Sequence, residues 1–238
     1  MMLKFHKLWN GRHLLRSILP TIWFNFHYLP FRQAIKLPIW LYKPKLYKCA
    51  GSIEIDLDTV KTGMIRLGFL IETVYPNRGI LWDNRGGKVI FRGTCIIGNA
   101  SSIKVGSRAC LDFGSEILCT AGLKLVCLSE ICFEDHVLLG WENTIMDTDY
   151  HCIKSMQGTF IGSACAPVRI GHHTWLCSQV MVLKGAILPP RCIVAARSLV
   201  KAGLDVPEYS LIAGNPAKLR KSGVWLDVED EPTNDLFF

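Results

Sequence analysis

Toward the C-terminal end of the chain the apolar positions form an unbroken row. Ile170, Leu176, Val182, Leu188, Val194 and Val200 fall at a spacing of six. Neither the 3.6-residue helical period nor the simple alternation of a half-buried strand produces a strict six. The fourth position after each of the first five is small or β-branched: Thr174, Val180, Ala186, Cys192 and Ser198. One aliphatic and one small side chain per six residues describe the side and the corner of a triangular coil. Three sides make a coil of 18 residues, so Ile170 is expected to stack on Leu188, Leu176 on Val194, and Val182 on Val200. Each coil buries its face only against the next, which is the definition of a solenoid.

The spacing can be traced upstream through Phe91, Ile97 and Ile103, then Phe113, Cys119, Leu125 and Ile131, then Phe133, Leu139 and Ile145. The phase slips by two residues between these sets. Residues 147–167 hold no six-spaced row and read as a loop leaving the solenoid. The expected fold is therefore an all-β solenoid of about five triangular coils. An N-terminal basic and apolar cap with the first irregular strands should occupy 1–88. The repeat should fill 89–203, and a C-terminal segment 204–238. A sandwich of short strands does not predict a strict six. The slots after the aliphatics hold Cys177, Leu183, Pro189 and Ala195. At such corners left-handed backbone angles favour glycine, so relaxed turns are expected there.

Charge changes the picture at one end only. The 238 residues carry 27 Lys and Arg against 20 Asp and Glu, yet no acidic residue precedes Glu54. The excess of positive charge belongs to the first 53 residues, which is not the distribution of a basic nucleic-acid-binding domain. The same stretch is apolar, with Leu14, Leu15, Ile18, Leu19, Ile22, Trp23, Phe24 and Phe26. Pro20 and Pro30 interrupt it, and its apolar runs fall short of the ~20 residues of a membrane span. It reads as a cap over the open first coil; a peripheral membrane contact through residues 1–50 is the alternative. Ten cysteines form no C-x-x-C pair, and most lie in apolar patterns as small buried hydrophobes. A reducing, cytoplasmic compartment is expected, with the inner membrane face as its variant.

Four stretches carry a resemblance. Ile170-Gly171-His172-His173-Thr174-Trp175-Leu176, Ala195 through Val200, and Ala213-Gly214-Asn215-Pro216-Ala217-Lys218 are similar to motifs of the hexapeptide-repeat acyltransferases. Ile145-Met146-Asp147-Thr148-Asp149-Tyr150-His151 resembles the "imDtDfH" of the branch with galactoside and maltose O-acetyltransferases and sugar acetyltransferases of surface-polysaccharide loci. The resemblance covers roughly 90–221. It implies a left-handed parallel β-helix, a homotrimer, acetyl-CoA as donor and no metal. It also implies a saccharide acceptor, free, nucleotide-linked or lipid-linked, in surface-polysaccharide synthesis.

Acyl transfer from a thioester to a hydroxyl needs a base for the hydroxyl proton and donors for the developing oxyanion. Histidine suits the base role near neutrality. His6, His13 and His27 lie in the cap, and His136, His172 and His173 at corners where polar side chains face water. His151 stands where the solenoid breaks, and it matches the family's catalytic histidine. Asp147 or Asp149 could orient its imidazole; Asp149, two positions away, would share its side of a strand. By the same resemblance Ser178 falls near the thioester and Ala196 near the pantetheine arm. Lys201, Lys218, Arg220 and Lys221 fall near the phosphates. Ala202 stands where the family often has lysine. Trp141 and Trp175 are candidates to stack on a sugar ring. Two other classes fit a solenoid: a γ-carbonic-anhydrase-like metalloenzyme, whose H-x4-H pair is missing here, and a non-catalytic binding solenoid.

Overall fold

A computed structural model describes residues 17–226; His6, His13 and the last twelve positions lie outside the described residues. Short parallel strands stack on three faces. The first face runs through Ile39–Leu41, Ile65–Phe69, Cys95–Asn99, Ile117–Ala121, Leu138–Leu139, Trp175–Leu176, Ile193–Val194 and Ser210–Ala213. The second is formed by the later halves of Lys45–Ile55 and Ile80–Phe91. It continues through Cys110–Phe113, Glu130–Phe133, Val168–Ile170 and Ile187–Leu188. The third takes the earlier halves of those two long strands, then Ser101–Val105, Lys124–Cys127, Thr144–Met146, Met181–Val182 and Leu199–Val200. The architecture is the left-handed parallel β-helix that the resemblance implies.

The expected stacking holds residue by residue. Ile170 pairs with Leu188, Leu176 with Val194, and Val182 with Val200. All six are buried, as are Thr174, Val180, Ala186, Cys192 and Ser198 at the corners. The upstream phase slip also has a simple cause. Leu111 with Phe113, and Ile131 with Phe133, point inward from one strand. Two added residues lengthen a side by one in–out pair, so every later side chain keeps its face. Phe91, Phe113 and Phe133 form a stacked ladder inside, with ring centroids 5.3 and 5.2 Å apart. Buried thiols complete this filling; burial pushes Cys119 up to about 12.

Three expectations need correcting. The helical stack begins at Ile39, well inside the segment read as cap and irregular strands, because Ile39–Leu41 already pairs in parallel with Ile65–Leu67. It also runs past 203: Val206 and Ile212 continue the row of six, and Ile212 pairs with Val194. The corners are not relaxed. The left-handed residue falls three places after each aliphatic, at His173, Gln179, Gly185, Arg191, Arg197, Gly203 and Tyr209. Five of the seven carry a side chain at positive φ.

Both ends of the first face are covered. At the C-terminal end Lys218–Ser222 turns back antiparallel onto Ser210–Ala213. At the N-terminal end a helix over residues 17–28 lies along the open edge of 39–43 and supplies polar side chains in place of a strand. Asn25 donates from Nδ2 to the Ile39 carbonyl (2.7 Å) and accepts from the Ile39 N–H (3.1 Å). The Leu41 N–H donates to Thr21 Oγ1 (3.1 Å), and the Lys43 N–H donates to Ser17 Oγ (3.0 Å). An edge strand presents unpaired N–H and C=O groups that template aggregation, and this helix satisfies them one after another.

Candidate functional site

The excursion leaves the stack after Thr144–Met146 and rejoins it at Val168–Ile170, the limits that the loss of the six-residue row marks. It is not featureless. Ile153–Lys154 and Phe160–Ile161 form an antiparallel hairpin. Its neck is closed by Ala166 N–H to Asp147 O (3.0 Å) and Asp149 N–H to Ala164 O (2.9 Å). His151 sits just beyond this neck and is exposed.

The two aspartates have other partners. Asp147 is fully buried, and its carboxylate accepts the Leu128 N–H (2.8 Å) and the Ser129 N–H (2.7 Å) from the coil before. It ties the loop neck to the solenoid. Asp149 pairs with Lys184 (2.6 Å). Tyr150, between the two functional candidates, is left-handed at φ 60° and lies 5.1 Å beneath the Lys104 ammonium. The partners of the two carboxylates are thus the backbone of the coil before, for Asp147, and the Lys184 ammonium, for Asp149. Lys184 was not singled out from the sequence. Its signal was faint, a lone lysine at the corner of the coil after the loop.

Lys201 and Ala202 stack one coil beyond that corner, with a Cβ built on Gly185 falling 3.0 Å from Ala202 Cβ. This edge, between the third and second faces, therefore gathers His151, Asp149, Lys184 and Lys201. Other expected residues lie elsewhere. Trp141, Ser178 and Ala196 occupy the edge between the first and third faces, where Arg197 N–H donates to Ser178 O (3.0 Å). Beside them Gln179 bridges Glu142 and Arg197 at 2.7 Å on each side. Trp141 meets Tyr75 edge-on at 6.2 Å. Lys218, Arg220 and Lys221 are exposed on the returning terminal strand, where Arg220 Nε donates to Ala213 O (3.2 Å). Within one chain these sets do not meet.

The third edge holds a cluster that sequence reasoning treated as separate solvated corners. His136 stacks on His173 at 4.5 Å, and His172 Nδ1 lies 3.0 Å from His173 Nδ1. Glu116 pairs with His136 Nδ1 (3.2 Å). Burial, then the charges of Arg191, His136 and His172, hold the His173 pKa below the ordinary imidazole value. The ring borders a groove of about 710 Å³ floored by Ile96, Leu118 and Leu138, with Trp175, Arg191 and Trp225 along it. His136 and His173 are neighbours because a coil interrupted by the loop separates them, as it does Leu139 and Leu176. Counting that interval from the sequence required the loop length.

The fold and the repeat together define a left-handed parallel β-helix of hexapeptide period. Among solved structures, the polysialic-acid-specific acetyltransferase NeuO is similar at a TM-score of 0.51 and 15% identity, over 79% of this chain and 73% of that one. That likeness is one of fold. A Mycobacterium tuberculosis protein carrying an acetyltransferase name is 37% identical over 57 residues, 24% of this chain and 18% of its own length. A Staphylococcus aureus protein, also named as an acetyltransferase, is 35% identical over 69 residues, 29% of this chain and 33% of its own length. The matches thus span a third or less of these curated relatives. No protein-family model matches the chain.

Proposed function

We propose that the protein is an acetyl-CoA-dependent O-acetyltransferase acting on a saccharide hydroxyl, with His151 as general base. The carrying observation is the exposed His151 at the neck of the excursion, on an edge that also holds Lys184 and Lys201. His151 takes the hydroxyl proton as the oxygen attacks the thioester carbonyl. The new C–O bond forms, the C–S bond breaks, and the imidazolium returns the proton to the departing thiolate. The lysines supply positive charge for the phosphates of the donor. Surface-polysaccharide synthesis in the cytoplasm is the setting; ten free thiols support a reducing compartment.

The donor residues expected at Ser178 and Ala196 lie on a different edge from His151, so one chain does not hold a complete site. A homotrimer resolves this by setting one copy's loop edge against its neighbour's Ser178 edge, with the acyl arm between them. Exposed apolar side chains on the loop hairpin (Ile153, Met156, Phe160, Ile161) and on the faces (Met181, Ile187) support such burial. A second reading makes His173 the base, favoured by its depressed pKa and by the aromatic groove beside it.

The test is thiol release from acetyl-CoA against a panel of free, nucleotide-linked and lipid-linked sugars. Saturable release that requires one acceptor supports the reading. No release with any of them leaves a binding solenoid.

A further inference from the structure

The helix over residues 17–28 is inside out. Its buried face carries Ser17, Thr21 and Asn25 around Phe24, because that face replaces a strand. Its outward face carries Ile18, Leu19, Ile22, Trp23 and Phe26, all exposed, with Leu19 75% accessible. The following turn adds Phe31 and Ile35, and the first strand adds Trp40. An apolar groove of about 270 Å³ opens between Ile18, Ile22, Trp40 and Phe69. Nothing in the fold requires apolar residues here, since the edge is capped by the opposite side. A contiguous exposed apolar surface of this kind marks a docking site.

The charge around it selects the occupant. Arg32 and Lys36 are exposed beside the patch, and Lys4, Lys7, Arg12 and Arg16 come before the described residues in sequence. No acidic residue occurs before Glu54. An amphipathic helix with basic flanks and aromatic residues on its apolar side is built for the boundary of an anionic bilayer. Tryptophan favours that headgroup level. Like patches from two copies would bring two basic segments together without a counter-charge. No helix among the described residues is long and apolar enough to cross a membrane.

We propose that this outward face, with Phe31, Ile35 and Trp40, docks the protein on the surface of an anionic lipid bilayer. The inference is independent of the acetyltransferase reading. Its test is co-sedimentation of the full chain with vesicles of phosphatidylcholine plus phosphatidylglycerol, against phosphatidylcholine alone. Binding should require the anionic lipid and weaken with salt. Leu19→Glu with Phe26→Glu should weaken it about tenfold or more. Arg32→Glu with Lys36→Glu should weaken it in anionic vesicles, with circular dichroism unchanged. These positions are exposed, so the fold is not at stake. Failure of the full chain to bind anionic vesicles at low salt overturns the proposal. So does binding indifferent to both variant pairs, or a concentration-dependent self-association that Leu19→Glu with Phe26→Glu abolishes in the absence of vesicle binding.

Discussion

A single buried carboxylate shows how a sequence motif can divide its labour. Asp147 and Asp149 share one motif with His151, yet Asp147 is spent on two backbone N–H groups of the preceding coil. Removing it leaves both donors unpaired, and each such loss costs on the order of 1–3 kcal/mol. Asp147→Ala should therefore lower stability by about 2–6 kcal/mol in denaturant titration. Asp149→Ala should leave stability nearly unchanged, because Asp149 is exposed and an ion pair at such a site contributes little. The left-handed corners make a second residue-scale point. A Cβ at Gly203 would meet nothing within 4 Å, but φ there is 78°. Gly203→Ala isolates backbone strain, and a loss of about 1–2 kcal/mol is expected. An unchanged midpoint would mean that this corner carries a side chain without strain, although Arg197 and Tyr209 hold the same backbone region at the neighbouring corners.

Elements that repeat were legible from sequence; elements that interrupt the repeat were legible only as interruptions. The row Ile170 to Val200 stacked as counted because each coil repeats the same steric problem at the same interval. The excursion lies where the six-residue row stops, but its hairpin and the contacts of its neck with another coil are not encoded by spacing. The N-terminal helix was expected as a cap. Its inverted polarity was hidden because Ser17, Thr21 and Asn25 take their meaning from the strand edge beside them. The same limit hid the cluster of His136, His172 and His173, whose members meet only when coils stack. That cluster predicts a pH dependence. The His173 pKa is lowered in the fold, so the unfolded chain binds more protons as pH drops below the ordinary histidine value of about 6.5. Stability should then fall on acidification through that window and be fully present above it. His173→Asn, which tolerates left-handed backbone, should flatten the slope. A slope that stays the same would assign the dependence to other groups.

Across the whole molecule, the described chain is a β-helix with both ends of its first face covered, apolar surface on its loop hairpin, and a proposed site split between edges. Deleting residues 1–50 strips the covering helix together with the first strand, and insoluble protein is the expected result on expression. Sedimentation of the intact protein should give a trimer at micromolar concentration; a monomer would remove the shared site. The central claim is that His151 is the base for acetyl transfer. It is tested most directly by turnover of His151→Ala beside His173→Asn and wild type, with acetyl-CoA and one good saccharide acceptor. Loss of a general base costs about 10²–10⁴-fold in rate. The account predicts that loss for His151→Ala, with acetyl-CoA affinity little changed and His173→Asn within about tenfold of wild type. Full turnover in His151→Ala alongside a collapse in His173→Asn would contradict it and move the base to the third edge.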